Sequence, residues 1–411
     1  LARHILMITR KRSLRATLLA CVLSAAAGAA ASALPITLPA SSTTNQINTA
    51  LGLNTAVSGG AKLTGGFATV SGLSGAALQN ALTQISGSAT VDLGVATSLG
   101  GSSLVDILAS GGVIAPGLSG TITLSSPTSP LGALPWAVGL AGHSDISGST
   151  TSGAAGLSSG SAGIALGVEK DLGDNTAMGL SLGLDHQSLS AGAGGSAHSN
   201  DVTLGVYGRH SFSDPFYIAA ALAYGWHDIE SRRVVTVSGT DMLAAGFSAT
   251  DLSGRLELGY RFDLGGGMAV APFAAFSADS FSTPAYQERA VSGSPSFALS
   301  YAPLTTDNQH FEAGLHFGDD LAMTPGRLSL TADVAWAHQL TGPAQAQVSF
   351  QALPGSNFLV NGLQPVSDSA LLGVGLHMTS SENLSYGIGV QGQVGGGTSA
   401  VAGTLSLLWQ F

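Results

Sequence analysis

Two glycine motifs in this chain have spacings that could do chemistry. Gly179-Leu180-Ser181-Leu182-Gly183 has the spacing of a nucleophile elbow, and Gly387-Ile388-Gly389-Val390-Gln391-Gly392 that of a dinucleotide-binding turn. An elbow would make Ser181 an acyl-transfer nucleophile, but it needs a sharp strand-to-helix turn. Ser181 instead falls in a run where Met178, Leu180, Leu182 and Leu184 alternate with Gly179, Ser181, Gly183 and Asp185, which is a strand. The dinucleotide turn needs a strand and then a helix, whereas Leu384, Tyr386, Ile388 and Val390 mark one uninterrupted strand. The ten histidines show no HExxH and no close ligand spacing; His186, His210 and His338 read as residues near strand ends. No catalytic set, cofactor site or metal site is expected. What remains is a set of charges on strands whose opposite face is apolar: Arg209, Arg255, Glu257, Arg261, Glu312 and Asp333. Their chemistry is electrostatic, an ion-pair lattice lining a wet interior.

The elements that must position these charges are strands with two different faces. In residues 251–263, Leu252, Leu256, Leu258, Tyr260 and Phe262 face one way, and Asp251, Ser253, Arg255, Glu257, Arg261 and Asp263 the other. Such segments begin near residues 136, 163, 178, 201, 216, 251, 268, 310, 328, 372, 384 and 400, which makes twelve. The first carries Trp136, Val138 and Leu140, expected on the apolar outer side. In the seventh, Pro272 cannot donate to a ladder, so a bulge is expected there. Connections alternate between a few residues, such as Leu264-Gly265-Gly266, and longer Gly/Ser/Pro loops, among them those after strands three and five. Two fit less well: the one after strand eight is middling, and the one after strand eleven is short.

An even number of antiparallel strands with short turns at one end and long loops at the other describes an outer-membrane β-barrel. Lipid cannot satisfy backbone groups, so the sheet must close, with apolar residues toward lipid and charges toward the lumen. On that reading an arginine at Leu256 should cost roughly 2–4 kcal/mol, and one at Ser253, in a wet lumen, almost nothing. The last strand, with Leu405, Leu407, Trp409 and Phe411 on one face, is expected to close the barrel and guide its insertion. The fold class is therefore all-β. Beyond the N-terminus no run of about 20 apolar residues offers a helical span.

Arg10 to Arg15 is a basic region, 16–31 an apolar run and Ala31-Ser32-Ala33 a cleavage site, which reads as a Sec signal peptide with Leu34 as mature start. Met7 is a candidate initiator. Leu18-Leu19-Ala20-Cys21 resembles a lipoprotein box, but the apolar run before it is too short. Five of the 14 basic residues lie in this leader, leaving nine against 24 acids, so nucleic acid is not an expected partner. The single cysteine also lies there, which leaves the rest without disulfides. The expected domains are a signal peptide (1–33), a low-complexity stub (34–72), a linker with a helix (73–135) and the barrel (136–411). Leu78, Leu82 and Ile85 give Ser74–Ile85 helical spacing, and Ser103–Ala109 is a weaker second candidate.

At this point the chain resembles the autotransporter β-domain, the translocator of type V secretion, over about residues 73–411. The resemblance rests on Phe350-Gln351-Ala352-Leu353-Pro354-Gly355 with Asn361-Gly362, on Ala335-Trp336-Ala337-His338, on Phe297-Ala298-Leu299-Ser300-Tyr301-Ala302 and on the Ser74–Ile85 helix. It implies a twelve-stranded barrel in the outer membrane of a Gram-negative bacterium, with a helical linker threading the lumen and long loops outside. Its implied partners are outer-membrane lipid, the barrel assembly machinery that reads the C-terminal strand, and periplasmic chaperones. It also implies that a passenger before the linker reaches the cell surface. Here only about forty residues separate the cleavage site from the linker helix, and no Asn-Asn pair of the self-cleaving kind is present in the linker. The expected function is a translocator with a very short passenger. The alternatives are a stand-alone pore or surface barrel exporting nothing, and a hydrolase using Ser181.

Overall fold

A computed structural model describes residues 36–92, 104–105, 108, 133–173, 175–212, 215–323, 326–364, 366–380 and 384–409. The proposed leader, its cleavage site and Phe411 lie outside these residues. The strands are β1 (Ala133–Ile146), β2 (Leu157–Gly173), β3 (Thr176–Ala191), β4 (Gly195–Ser211), β5 (Phe216–Val235), β6 (Asp241–Tyr260), β7 (Phe262–Gly265), β8 (Met268–Thr283), β9 (Tyr286–Gln287), β10 (Arg289–Ser292), β11 (Leu299–Tyr301), β12 (Leu304–Ala322), β13 (Arg327–Gln339), β14 (Gln345–Phe350), β15 (Phe358–Asn361), β16 (Asp368–Thr379), β17 (Leu384–Gly395) and β18 (Thr398–Trp409).

Twelve of these close an antiparallel barrel in the order β1 to β6, β8, β12, β13, β16, β17, β18. The seam is β1 on β18, paired from Trp136↔Leu408 to Ile146↔Thr398. Closure leaves no edge carrying unpaired N–H and C=O groups, which hydrocarbon could not satisfy. Alternation then sets the faces. Leu180, Leu204, Leu222, Leu256, Val374, Ile388 and Leu405 are all more than 40% exposed on the outside. Between them small and polar residues point inward, among them Ser181, Thr203, Ser253, Glu257 and Ser406, each less than 9% exposed.

Four expectations need correction. In β1, Leu134, Trp136 and Val138 are 7%, 4% and 2% exposed, so the apolar face of this strand points inward. Trp136 Nε1 donates to the Tyr207 hydroxyl at 2.7 Å, and the outer face of β1 is left to small residues such as Ala137 and Gly139. The connections after the third and fifth strands are short: β3 and β4 run on to a turn at Gly192–Gly194, and β5 and β6 continue to residues 235 and 241. Strand Pro272 pairs in unbroken register with Leu315 and makes no bulge. The irregularity is in its other neighbour, where β6 ends at Tyr260 and β7 starts at Phe262, so no acceptor waits for the donor proline lacks. Finally, Ser253 is 1% exposed, so the lumen is filled there, not wet.

The residues before the barrel form three helices, α1 (Thr44–Ser58), α2 (Gly66–Ser71) and α3 (Gly75–Ile85). Helix α1 starts with a capping box, Thr43 Oγ1 accepting from Gln46 N and Gln46 Oε1 from Thr43 N. The helices pack on a second sheet of order β15-β14-β11-β9, built from the two long connections at the barrel's long-loop end. One core unites them: Leu53, Phe67, Val70, Leu78, Leu82 and Ile85 with Val235, Leu243, Phe297, Leu299, Phe350 and Val360. Phe67 meets Phe297 and Phe350 edge-on, each at 5.1 Å. Gly87 (φ +78°) turns the chain off α3 where a Cβ would fall 2.5 Å from Leu299. This cap sits on the long-loop end, so α3 is not the lumen thread that the resemblance implied.

The facing assignment yields a stability test. Leu256→Arg, at an outward position, should destabilise the folded barrel in vesicles by roughly 2–4 kcal/mol, whereas Ser248→Arg, exposed two turns of the ladder nearer the cap, should stay within about 0.5 kcal/mol. Equal losses in urea titrations would mean a wrong register.

Candidate functional site

The lumen is the interior formed by the inward faces of the twelve strands. Leu104, Val105 and Leu108 are helical, less than 7% exposed, and cluster with Trp136, Val138, Tyr207, Ala221, Ala223 and Leu408 from the inner wall. Leu104 lies over Gly183, and Leu108 over Gly205 beside Ser181. Glycines on the wall give this helix room, since a Cβ at Gly205 would come within 2.9 Å of Leu108. The lumen residues thus come from the second helical candidate, Ser103–Ala109.

Charged residues stitch the wall around it. Arg255 donates through Nη1 and Nη2 to both oxygens of Glu312 (2.9 and 2.8 Å), and through Nη2 to Glu257 Oε2 (3.0 Å). The other Glu257 oxygen accepts from the Tyr217 hydroxyl at 3.0 Å and lies 3.2 Å from His316 Nε2. His316 Nδ1 is 2.6 Å from Asp333 Oδ1, and the ring stacks on Phe273 at 4.0 Å. One network therefore joins β5, β6, β12 and β13. Arg209 sits nearer the short turns, half-buried, with Nη2 on Glu169 Oε1 at 2.8 Å. Arg261 lies past the end of β6 and donates to the exposed Asp263 at 2.8 Å, outside the buried network. Nearer the cap, His227 Nε2 is 2.6 Å from Asp251 Oδ1 and its Nδ1 2.9 Å from Asp201 Oδ1. Of the closing-strand residues, Leu405 and Leu407 face outward, and Trp409 ends β18. Ser181 and residues 387–392 lie inside β3 and β17, without the turns their motifs require. Among the described residues, no group of three or more His, Cys, Asp or Glu is arranged to hold a metal.

The seal between cap and barrel was not foreseen. Arg233, 1% exposed near the top of β5, donates to Glu288 Oε1 and Oε2 at 3.0 and 2.6 Å. It also donates to the carbonyls of Gln84, on α3, at 2.7 Å and Phe297 at 2.9 Å. Glu288 in turn accepts from Leu299 N and the Tyr301 hydroxyl. On the other side, Asn45 of α1 acts as an extra strand residue: its Oδ1 accepts from Asn361 N (2.8 Å) and its Nδ2 donates to Asn361 O (2.9 Å). This satisfies the open edge of β15. Asp92 closes the cap by accepting from Leu363 N and Ala155 N at 2.7 and 2.8 Å.

Two outcomes follow for cap stability, read as the urea concentration at which residues 36–92 become protease-sensitive while the barrel keeps its heat-shifted gel mobility. Arg233→Ala leaves the Glu288 carboxylate buried and unpaired, which should loosen the cap by roughly 3–5 kcal/mol. For Asp92, burial pushes the carboxyl up to about 8, against the pull of its two N–H donors. In the unfolded chain it ionises near 4, so the folded cap retains a proton that the unfolded chain releases. Its contribution is full below about pH 4 and is lost as pH rises through 8, so urea resistance should fall from pH 5 to pH 9. Asp92→Asn should flatten that dependence.

Comparisons with known proteins agree with this geometry. Residues 135–391 match the autotransporter beta-domain family. An extracellular serine protease of Serratia marcescens is 24% identical over 256 residues, which are 61% of this chain but 23% of that protein. The chain thus spans less than a quarter of that relative's length. The translocator domain of the autotransporter NalP from Neisseria meningitidis superposes with a TM-score of 0.54 at 14% identity, covering 68% of this chain and 88% of that one. The beta domain of the Bordetella autotransporter BrkA gives 0.50 at 17% identity, over 68% and 99%. At these identities the superpositions speak to fold alone; the family match speaks to kinship. With a twelve-stranded barrel, a helical segment before it and more than half its length matched, the chain belongs to the autotransporter beta-domain family, the outer-membrane translocator barrels of Gram-negative bacteria.

Proposed function

We propose that this barrel carries residues 36–92 through its lumen to the cell surface and keeps them there as a folded cap. The observation that carries this reading is the shared core: the helices have their apolar faces on strands of the long connections, not on one another alone. Residues 104, 105 and 108 lie inside the wall, between the cap and the first residue of β1 at the short-turn end. The chain preceding β1 therefore has a path from that end, up the lumen, to the cap. In this reading the long connections face outward. The leader directs Sec export, periplasmic chaperones hold the unfolded barrel, and the assembly machinery reads Leu405, Leu407, Trp409 and Phe411. The Arg255 network acts as a structural lattice that holds four strands in register around the thread. No bond is made or broken, so the work is physical: the unfolded segment crosses, then gains a core on arrival. A stand-alone pore is disfavoured by the apolar side chains of Leu104, Val105 and Leu108 within the lumen.

The test is protease shaving of intact cells, with an epitope and a protease site placed just before Ile36. Loss of the epitope while the barrel stays intact is expected. An epitope protected in intact cells but cut after lysis would mean that the cap end faces the periplasm, and the reading would fail.

A further inference from the structure

Charge accounting over the described residues singles out two arginines. Arg209, Arg233, Arg255, Arg261 and Arg327 each face a carboxylate, on Glu169, Glu288, Glu257 with Glu312, Asp263 and Asp320 respectively. Arg232 and Arg289 have none, although acids outnumber bases 24 to 14 in the chain. Both are exposed. They are also neighbours by register: Arg232 of β5 pairs with Ala244 of β6, and Ala244 pairs with Arg289 of β10. Directly opposed residues in antiparallel strands share a face, so both arginines point outward, while Arg233, Leu243 and Ala290 point into the cap core. Their Cα atoms are two strand spacings apart, about 10 Å. The residue between them is alanine, with nothing beyond Cβ to keep two long side chains from converging over it.

The height of the pair matters. Tyr224 and Trp226, on the outer face of β5, are 40% and 45% exposed with ring centroids 4.8 Å apart, as in an aromatic girdle at a membrane interface. Arg232 lies six residues farther, roughly 20 Å along the strand and, at a tilt of about 45°, roughly 14 Å farther from the bilayer centre. That is headgroup territory. The acids on the same face, Asp228 and Glu230, lie closer to the girdle, and Glu230 is 3.4 Å from His198.

We propose that Arg232 and Arg289 form a binding site for the phosphorylated headgroup of an outer-leaflet lipid, each guanidinium presenting its paired N–H donors to phosphate oxygens. The lipid source, as distinct from the phosphate chemistry, rests on the reading that the cap end faces outward. A bound headgroup would supply the anion these two cations lack and would hold the lipid against the extended β5–β6–β10 wall beneath the cap.

The test uses the folded full-length protein in neutral maltoside micelles, with phosphatidic acid as probe and native mass spectrometry as readout. Arg232→Gln with Arg289→Gln should weaken phosphatidic acid binding at least fivefold, Arg232→Lys with Arg289→Lys should lose less, and phosphatidylcholine should bind wild type and variants alike. Unchanged retention of phosphatidic acid by the glutamine variant, with the heat-shifted mobility of a folded barrel, would overturn the site. Displacement of the lipid by an equal concentration of inorganic phosphate would overturn the lipid assignment. The assay is blind to orientation, so failure of the arginine site and failure of the surface reading, which protease shaving reports, are separable.

Discussion

The seam between β1 and β18 is the contact on which the rest of this structure depends. Without it, twelve strands make an open sheet whose edges no hydrocarbon can satisfy. With it, β1 must begin at the short-turn end beside the last residues of β18, Trp136 facing Leu408. That placement sends the preceding chain into the lumen. Leu134, Trp136 and Val138 turn inward because the residues arriving there, Leu104, Val105 and Leu108, need an apolar wall. The cap then follows as the part of the chain that emerges at the other end.

Inside and outside run on opposite rules. The outer surface takes Leu, Val, Ile and aromatics, because lipid replaces a core. The interior takes glycine, alanine and serine where the thread passes, and paired charges where it does not. A buried pair adds little net stability, since desolvation offsets most of the Coulomb attraction. What the Arg255–Glu312–Glu257–His316 chain contributes is register, because four strands must align for every donor to find its acceptor. Arg233 does the same between barrel and cap, joining a barrel strand, a loop glutamate and the end of α3 with four hydrogen bonds.

Much of the barrel was legible in the sequence because charge labelled one face of its strands. Residues 251–258 could be read at sight: Asp251, Arg255 and Glu257 on one side, Leu252, Leu256 and Leu258 on the other. β1 has no charge in its first ten residues, so its apolar face carried no label and was assigned to lipid. Above the bilayer the rule lapses. In His227–Arg233 the outward residues are Asp228, Glu230 and Arg232, and the inward ones include His227, Ser231 and Arg233, so polar residues on both faces hid the continuing strand. The cap was hidden for another reason. Helix α1 buries Asn45, Gln46, Thr49 and Asn54, whose partners are hundreds of residues away or in loops, and no local period announces that. Yet the stretches that carried the family resemblance, around Phe297, Phe350 and Asn361, turn out to be the surfaces that receive these helices.

The central claim is that residues 36–92 dock on the long connections of their own barrel. Disulfide trapping of Asn45→Cys with Asn361→Cys tests it most directly, since these side chains touch and the chain's own cysteine, Cys21, belongs to the proposed leader. Rapid oxidation to an intramolecular disulfide in folded barrel isolated from outer membranes is the predicted result. A folded barrel whose two introduced thiols stay free would contradict the account.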